Sequence, residues 1–257
     1  MEYLIICTVA LLGSALTLFS GFGLGTILVP VFALFFPIDL AIALTAIVHF
    51  LNNIFKIFLV GKNVNYKVVL RFGLPSMVAA LCGAYILSLI TKMPIIYEYS
   101  IADSTYGITP VKLIIGILLM FFSLFEIIPW LAKLEFDKKY LPVGGILSGF
   151  FGGLSGNQGA LRSAFLIRSR LTKESFIATG VMIACMIDIV RLSIYSEKIF
   201  EQQQQFNYSL ILSATSAAFL GAFIGNKLIK KVTIKFLQYL VAMFLFLFSI
   251  LLIAGIV

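Results

Sequence analysis

The sequence is poor in charge and in cysteine, and it contains a single histidine. Charged residues make up only 12% of its 257 residues, whereas 61% are hydrophobic. A water-soluble domain of this length needs far more charge on its surface, so the composition excludes one. The three cysteines, Cys7, Cys82 and Cys185, lie in apolar stretches without the spacing of a disulfide or a metal site. We expect them to be buried thiols.

What the chain has instead is long apolar runs. A helix needs about 20 apolar residues to span the hydrocarbon core of a bilayer. Runs of this kind cover residues 39–60, 68–91, 111–132, 174–195, 207–229 and 234–256. The net charge of +8 comes mostly from lysine and arginine in short loops, which is typical of membrane topology and not of a nucleic-acid partner. We therefore predict an all-α polytopic membrane protein in a lipid bilayer.

The two halves of the chain resemble each other at an offset of 135 residues. The matching positions include the pairs Asn53–Asp188, Lys56–Arg191, Ser20–Ser155 and Gly21–Gly156. Each half opens with a segment that is too long for one ordinary span and that glycines interrupt, residues 3–36 and residues 140–168. We predict that each segment enters the membrane and returns as a hairpin.

Three further helices after such a hairpin would invert the second half relative to the first. Basic residues support this, because they dominate the 61–71 loop but not its counterpart at 196–206. The predicted architecture is two inverted-topology repeats, each a glycine-broken helical hairpin plus three transmembrane helices. The repeats cover residues 1–132 and 140–257, with a cytoplasmic linker at 133–139, and both termini lie outside the cytoplasm.

Polar residues inside the apolar runs predict a transport site. The run 39–60 contains four polar residues, His49, Asn52, Asn53 and Lys56. Their spacing of i, i+3, i+4 and i+7 places them on one helix face. Helices that restart after the glycine breaks point unpaired N–H groups at the midplane, which favours an anion. The predicted substrate-binding residues are Ser20, Gly21, Gly23, Asn52, Asn53, Lys56, Ser155, Gly156, Asn157, Gln158, Arg162 and Arg191. The predicted proton-coupling residues are Asp188 and His49.

Most of these residues also have a simpler interpretation. The glycines would serve only close helix packing, and His49, Asn52 and Asn53 would be interhelical hydrogen-bonding groups. Lys56 would extend to the membrane surface, Arg162 would be an anchor near the cytoplasmic face, and Arg191 would form an internal ion pair with Asp188. We predict a structural role for Glu126, near the end of its helix.

Two other functions remain open at this point. The first is a passive anion channel lined by the same charges. The second is an intramembrane serine hydrolase, because Gly153-Leu154-Ser155-Gly156 has the form of the rhomboid protease motif. The order of His49 and Ser155 in the chain is the reverse of the rhomboid order, and Ser155 has a counterpart in Ser20. Both facts favour a transporter over the hydrolase.

The two glycine breaks resemble the signature of the TauE/SafE sulfite exporter family. In the first half a glycine-rich stretch from Ser20 leads to an apolar run and Pro30, and Asp39 begins the next helix. The second half reads Leu154-Ser155-Gly156-Asn157-Gln158-Gly159-Ala160, with Lys173-Glu174 at the next start. It departs from the pattern at Phe165, which stands where the proline is expected.

This resemblance implies a plasma-membrane carrier for sulfur-containing anions such as sulfite, sulfoacetate or related sulfonates. We expect a secondary carrier that works by alternating access, coupled to protons, with one repeat rocking against the other. We expect no enzyme activity, no cofactor and no metal, and the sequence contains no nucleotide-binding motif. A small anion is the expected partner, and the sequence is compatible with a homo-oligomer.

Overall fold

The computed structural model describes residues 1–20, 23–102, 104–128, 130–131, 134–201, 207–228 and 234–257. The α-helices in this part of the chain are α1 (Glu2–Ser20), α2 (Leu24–Ala33), α3 (Ile38–Val60), α4 (Tyr66–Val68), α5 (Leu74–Ile90), α6 (Pro110–Ile127), α7 (Leu141–Ser155), α8 (Gly159–Leu166), α9 (Lys173–Glu201), α10 (Tyr208–Leu228) and α11 (Ile234–Ile253). A π-helical turn, Val69–Gly73, joins α4 to α5. Short 3-10 turns occupy Gly61–Asn63, Lys138–Tyr140 and Ile167–Ser169.

Five helical segments of the described chain are long and apolar enough to cross a membrane. They are Ile38–Asn63, Tyr66–Ile90, Pro110–Ile127, Lys173–Ser196 and Tyr208–Lys227. Large apolar side chains also remain exposed on their outer faces, as expected where lipid is the solvent. The polytopic helical class predicted from the composition is therefore confirmed.

The two glycine-broken segments fold back on themselves. Gly13 on α1 lies against Leu24 and Ile27 on α2, so these helices run side by side in opposite directions. In the second half, Gly144 on α7 lies against Phe165 on α8 in the same manner. The Ser148 hydroxyl also donates to the Gln158 carbonyl at 3.2 Å, which closes the second hairpin.

The helices pack in pairs around a central contact between α3 and α9. The other close pairs are α1 with α10, α5 with α7, and α6 with α11. Glycines make the α5–α7 contact close, because Gly145, Gly149 and Gly153 lie directly against backbone of the facing helix. Gly221 and Gly225 do the same between α10 and α1.

The structure corrects the sequence predictions at three points. The connection 91–110 contains a β-hairpin, β1 (Tyr97–Ile101) and β2 (Ser104–Ile108), which the sequence analysis did not predict. Helix α6 ends at Ile127 instead of at residue 132, just before a proline, which favours non-helical backbone in the residue that precedes it. Cys82 is exposed and not buried, because it faces outward from α5.

Candidate functional site

The predicted site residues come together where α3 crosses α9, between the two glycine breaks. The tips of the two hairpins approach each other there, since a side-chain carbon at Gly25 would lie 3.5 Å from the Gly156 carbonyl oxygen. The described site residues are all buried: Gly23, His49, Asn52, Asn53, Lys56, Ser155, Gly156, Asn157, Gln158, Arg162, Asp188 and Arg191. Gly21 and the side chain of Ser20 lie outside the described residues, so their role in substrate binding stays a prediction.

Asp188 is the centre of a buried hydrogen-bond network that joins α3 to α9. One carboxylate oxygen accepts from Arg191 Nε at 2.9 Å, within the same helix. The other contacts His49 Nδ1 at 2.7 Å and accepts from Asn53 Nδ2 at 3.3 Å. Because three side chains satisfy this carboxylate, it is held between the two helices as a fixed negative charge.

The network reaches both glycine breaks. A side-chain carbon at Gly23 would lie 3.4 Å from His49 Nε2, so this edge of the imidazole faces the first break. Gly156 has φ +78°, which only glycine adopts readily, and a side-chain carbon there would lie 2.8 Å from Arg191 Nη1. The backbone at the second break therefore leaves room for the guanidinium of Arg191.

A small cavity of about 30 Å³ adjoins the network, and we call it the basic cavity. Its walls include His49, Asn53 and Lys56 from α3 and Arg162 from α8, with Gly23 at the first break. At about 10–15 Å³ per water position, the cavity has room for about two water molecules or a comparably small anion.

Lys56 is buried and does not extend to the protein surface, with an exposed fraction of 3%. The Asn52 amide is best oriented with its nitrogen donating to the Ala218 carbonyl at 3.2 Å. Its oxygen then accepts from Lys56 Nζ at 3.3 Å, and Ser14 on α1 contacts the same amide. Asn52 therefore bridges three helices, as the interhelical interpretation expected, while it also positions the lysine.

Several buried polar atoms at the second break have no hydrogen-bond partner among the described residues. They are both amide atoms of Asn157, both amide atoms of Gln158, and Nη1 of Arg162. No side chain caps the start of α8 or of α2 either. Buried polar groups are nearly always satisfied by protein, water or a ligand, so these atoms mark a place where a polar ligand fits.

The formal charges of the site do not balance. Lys56, Arg162 and Arg191 contribute three positive charges, and Asp188 contributes one negative charge. With His49 neutral, the site has a surplus of two positive charges in a region of low dielectric. Such a surplus is costly in isolation and attracts an anion, in particular a divalent one.

Other placements bear on the alternative interpretations. Arg191 does form the internal ion pair with Asp188, but its Nη1 remains free to face the second break. The Ser155 hydroxyl donates to the Phe151 carbonyl at 3.0 Å, and His49 Nδ1 is taken by Asp188. No described hydrogen bond joins Ser155 to His49, which gives the hydrolase interpretation no support.

The sequence interpretation missed two residues that contact the site. Tyr195 donates to the Gly153 carbonyl beside the second break, and it lies one helical turn after Arg191. That spacing could have indicated it. Thr45, one turn before His49, is buried with an unpartnered hydroxyl. Among the described residues, no group of three or more His, Cys, Asp or Glu side chains is placed to hold a metal ion.

Comparison with known proteins agrees with this architecture. The model of the family "Sulfite exporter TauE/SafE" matches residues 6–252, nearly the whole chain. No curated protein and no solved structure matched the chain. Because the match covers far more than half of the sequence, the multi-pass membrane protein described above belongs to the TauE/SafE sulfite exporter family of transporters.

Proposed function

We propose that this protein is a secondary transporter of small sulfur-containing anions, such as sulfite, sulfoacetate or related sulfonates, across the plasma membrane. Family membership supports the broad class, a membrane exporter of sulfite or a related sulfur anion. The observation that carries the specific proposal is the buried surplus of positive charge beside unpartnered donors at the second break. A small oxyanion supplies both the missing charge and the missing acceptors.

The anion would be bound between the two hairpin tips. Arg162 Nη1 and the amide of Gln158 have no partner in this structure and are available as donors. Lys56 lines the same basic cavity as Arg162 and adds charge. Arg191, fixed by Asp188, directs its remaining nitrogen toward the second break. A site so fixed loses little conformational entropy when the anion binds.

The proposal includes two inverted repeats, with limits at 1–132 and 140–257 and both termini outside the cytoplasm. Its best support is that Asn53 and Asp188, which are equivalent at the 135-residue offset, contact each other. Equivalent residues can touch only where they lie near a symmetry axis. In the two halves, α5 corresponds to α10 and α7 corresponds to α1. The pairs α5–α7 and α1–α10 are therefore equivalent, and both are among the closest in the fold.

Alternating access requires parts of the protein that move as rigid bodies. The helix packing favours rigid bodies that combine helices from both repeats. The α5–α7 and α1–α10 contacts join helices of different repeats through glycine against backbone. Rocking one repeat against the other would break both. We therefore propose that a first bundle of α1, α2, α3 and α10 moves relative to a second bundle of α5, α7, α8 and α9. The site lies between these bundles, as transport requires.

A carrier fits this structure better than an open channel, because the basic cavity is small. Thermal unfolding of the purified protein with sulfite, sulfate, thiosulfate, sulfoacetate, taurine, phosphate, acetate and chloride tests the proposal. A ligand of the folded form at 100 times its dissociation constant adds about 2.7 kcal/mol of stability. We expect selective stabilisation by a sulfur oxyanion, and equal behaviour of all anions would contradict it.

Arg162→Ala and Arg168→Ala form a matched pair of variants for this test. Arg162 is buried in the basic cavity, whereas Arg168 is 58% exposed and pairs with Glu135 at the surface. Loss of a hydrogen bond to a charged group costs about 1.5–3 kcal/mol, so Arg162→Ala should weaken sulfite binding roughly 10- to 100-fold. Arg168→Ala should leave it unchanged, and equal losses in both variants would contradict the placement of the site.

A further inference from the structure

A second cavity lies on the α6 side of the second glycine break. Its volume is about 10 Å³, enough for about one water molecule. Thr26, Glu126 and Asn157 supply its polar walls, and Gly159 and Ala160 at the start of α8 complete them. We call it the Glu126 cavity. It is separate from the basic cavity, but Asn157 and the start of α8 also belong to the proposed anion site.

Glu126 is a partly buried carboxyl group in the last turn of the spanning helix α6. The ion pairs of the described residues do not include it. An ionised carboxylate without a counter-charge is costly in such a place. A proton removes that cost, because a neutral carboxylic acid needs only hydrogen-bond partners.

Asn157 lines the same cavity as Glu126 and lies beside the proposed anion site. Asn157 is 3% exposed, and neither of its amide atoms has a partner among the described residues. An amide can accept a hydrogen bond from a protonated carboxyl group through its oxygen while its nitrogen donates to an anion. An ionised Glu126 would instead repel an anion bound nearby and would cancel one of the two surplus positive charges of the site.

Among the described residues, Glu126 is the only titratable side chain that lines this cavity. The helices α2, α8 and α11 contribute Thr26, Asn157 and Leu245 to its walls, and Phe122 lies one turn before Glu126. The charged residue of α8, Arg162, faces the basic cavity. The titratable residues of the other helices that contact α6, which are Asp39, His49 and Lys56 on α3 and Cys82 and Tyr85 on α5, do not line it.

We propose that Glu126 is the proton-binding residue that couples proton movement to anion movement, an inference that rests on the proposed anion transport. A proton from water joins a carboxylate oxygen of Glu126 as the anion binds, and it returns to water when the anion leaves. One proton and one anion then move in the same direction. By linkage, protonation of Glu126 and anion binding favour each other equally. Asp188, in contrast, is already ion-paired and holds the network together.

Transport by purified protein in liposomes tests this assignment. Glu126→Gln keeps the size of the side chain and mimics the protonated form, and Glu135→Gln is the surface control. We expect Glu126→Gln to retain sulfite exchange at equal pH on both sides but to lose the sulfite accumulation that a pH gradient drives. Glu135→Gln should retain both. Accumulation by Glu126→Gln at the wild-type level would overturn the assignment.

A second readout does not depend on sulfite. On acidification, infrared difference spectra of the wild type should show the carbonyl band of a protonated carboxylic acid, and this band should be missing in Glu126→Gln. The same band in both proteins would overturn the assignment of Glu126 alone. Wild-type protein that neither exchanges nor accumulates sulfite would overturn the proposed function itself, so the two failures are distinguishable.

Discussion

The first and second glycine breaks occupy corresponding places in the two halves, yet their side chains differ. After the first break, α2 is buried along its whole length and carries Ile27 on its first turns. At the equivalent position the second half carries Arg162, preceded by the unpartnered amides of Asn157 and Gln158. On the long helices the balance is reversed, because α3 presents four polar site residues and α9 presents mainly Asp188 and Arg191.

This difference shows how two similar halves can build one site instead of two. The second half supplies a polar break, and the first half supplies most of the polar helix face that meets it. The divergence of side chains between the two halves determines where the basic and polar groups of the site lie. Four predictions test this comparison, beginning with the one of largest expected effect.

Asp188→Asn should destabilise the protein most. Removing one partner of a buried ion pair costs about 3–5 kcal/mol, because the other charge remains buried without compensation. Thermal unfolding in detergent measures the loss. Glu135→Gln, which breaks an exposed ion pair, should cost no more than about 1 kcal/mol. Equal losses would show that Asp188 does not hold the α3–α9 contact.

Adding Asn53→Asp to Asp188→Asn exchanges the two equivalent residues. The carboxylate then stands three residues before Lys56, as Asp188 stands three residues before Arg191. Because the two positions lie within hydrogen-bond distance, we expect the double variant to recover about 0.5–3 kcal/mol relative to Asp188→Asn alone. No recovery would contradict the symmetry between the halves.

Gly149→Ala and Gly225→Ala should destabilise the second and first bundles by similar amounts. The added methyl group would run into the backbone of Ser76 in the first variant and of Ala15 in the second. Overpacking of this kind costs about 1–3 kcal/mol. Gly107→Ala in the β-hairpin is the control, because its methyl group would make only an ordinary contact of 3.5 Å with Ile95. Thermal unfolding measures the stability of all three variants. Unequal losses of stability in Gly149→Ala and Gly225→Ala would argue against symmetric packing of the two bundles.

Gln158→Gly should have the smallest effect on sulfite binding. It places at the second break the glycine that stands at the equivalent position of the first break. Position 158 is equivalent to Gly23 at the 135-residue offset. A single hydrogen bond is worth about 0.5–1.5 kcal/mol, so sulfite affinity should fall roughly 2- to 12-fold. Stability without sulfite should fall by only about 1 kcal/mol, the backbone cost of a glycine, because the Gln158 amide has no partner to lose among the described residues. A loss of stability with unchanged affinity would assign Gln158 to the fold instead of the site.

Local sequence patterns predict much of this architecture. Composition and the length of apolar runs establish a polytopic helical membrane protein, since lipid requires every backbone group to be satisfied within a helix. The spacing of His49, Asn53 and Lys56 places them on one face, and glycines mark the two breaks. The motifs at those breaks also identified the family that the comparison later found.

Tertiary structure decided what these residues contact, because no local pattern specifies a partner on another helix. Sequence patterns alone do not distinguish an ion pair for Arg191 from an open binding role, and the packing provides both through different nitrogens. Glu126 lies near a helix end, as the sequence indicates, and only the fold sets it beside Asn157 in a cavity. The glycines marked close packing, but only the fold showed that this packing joins helices of different halves.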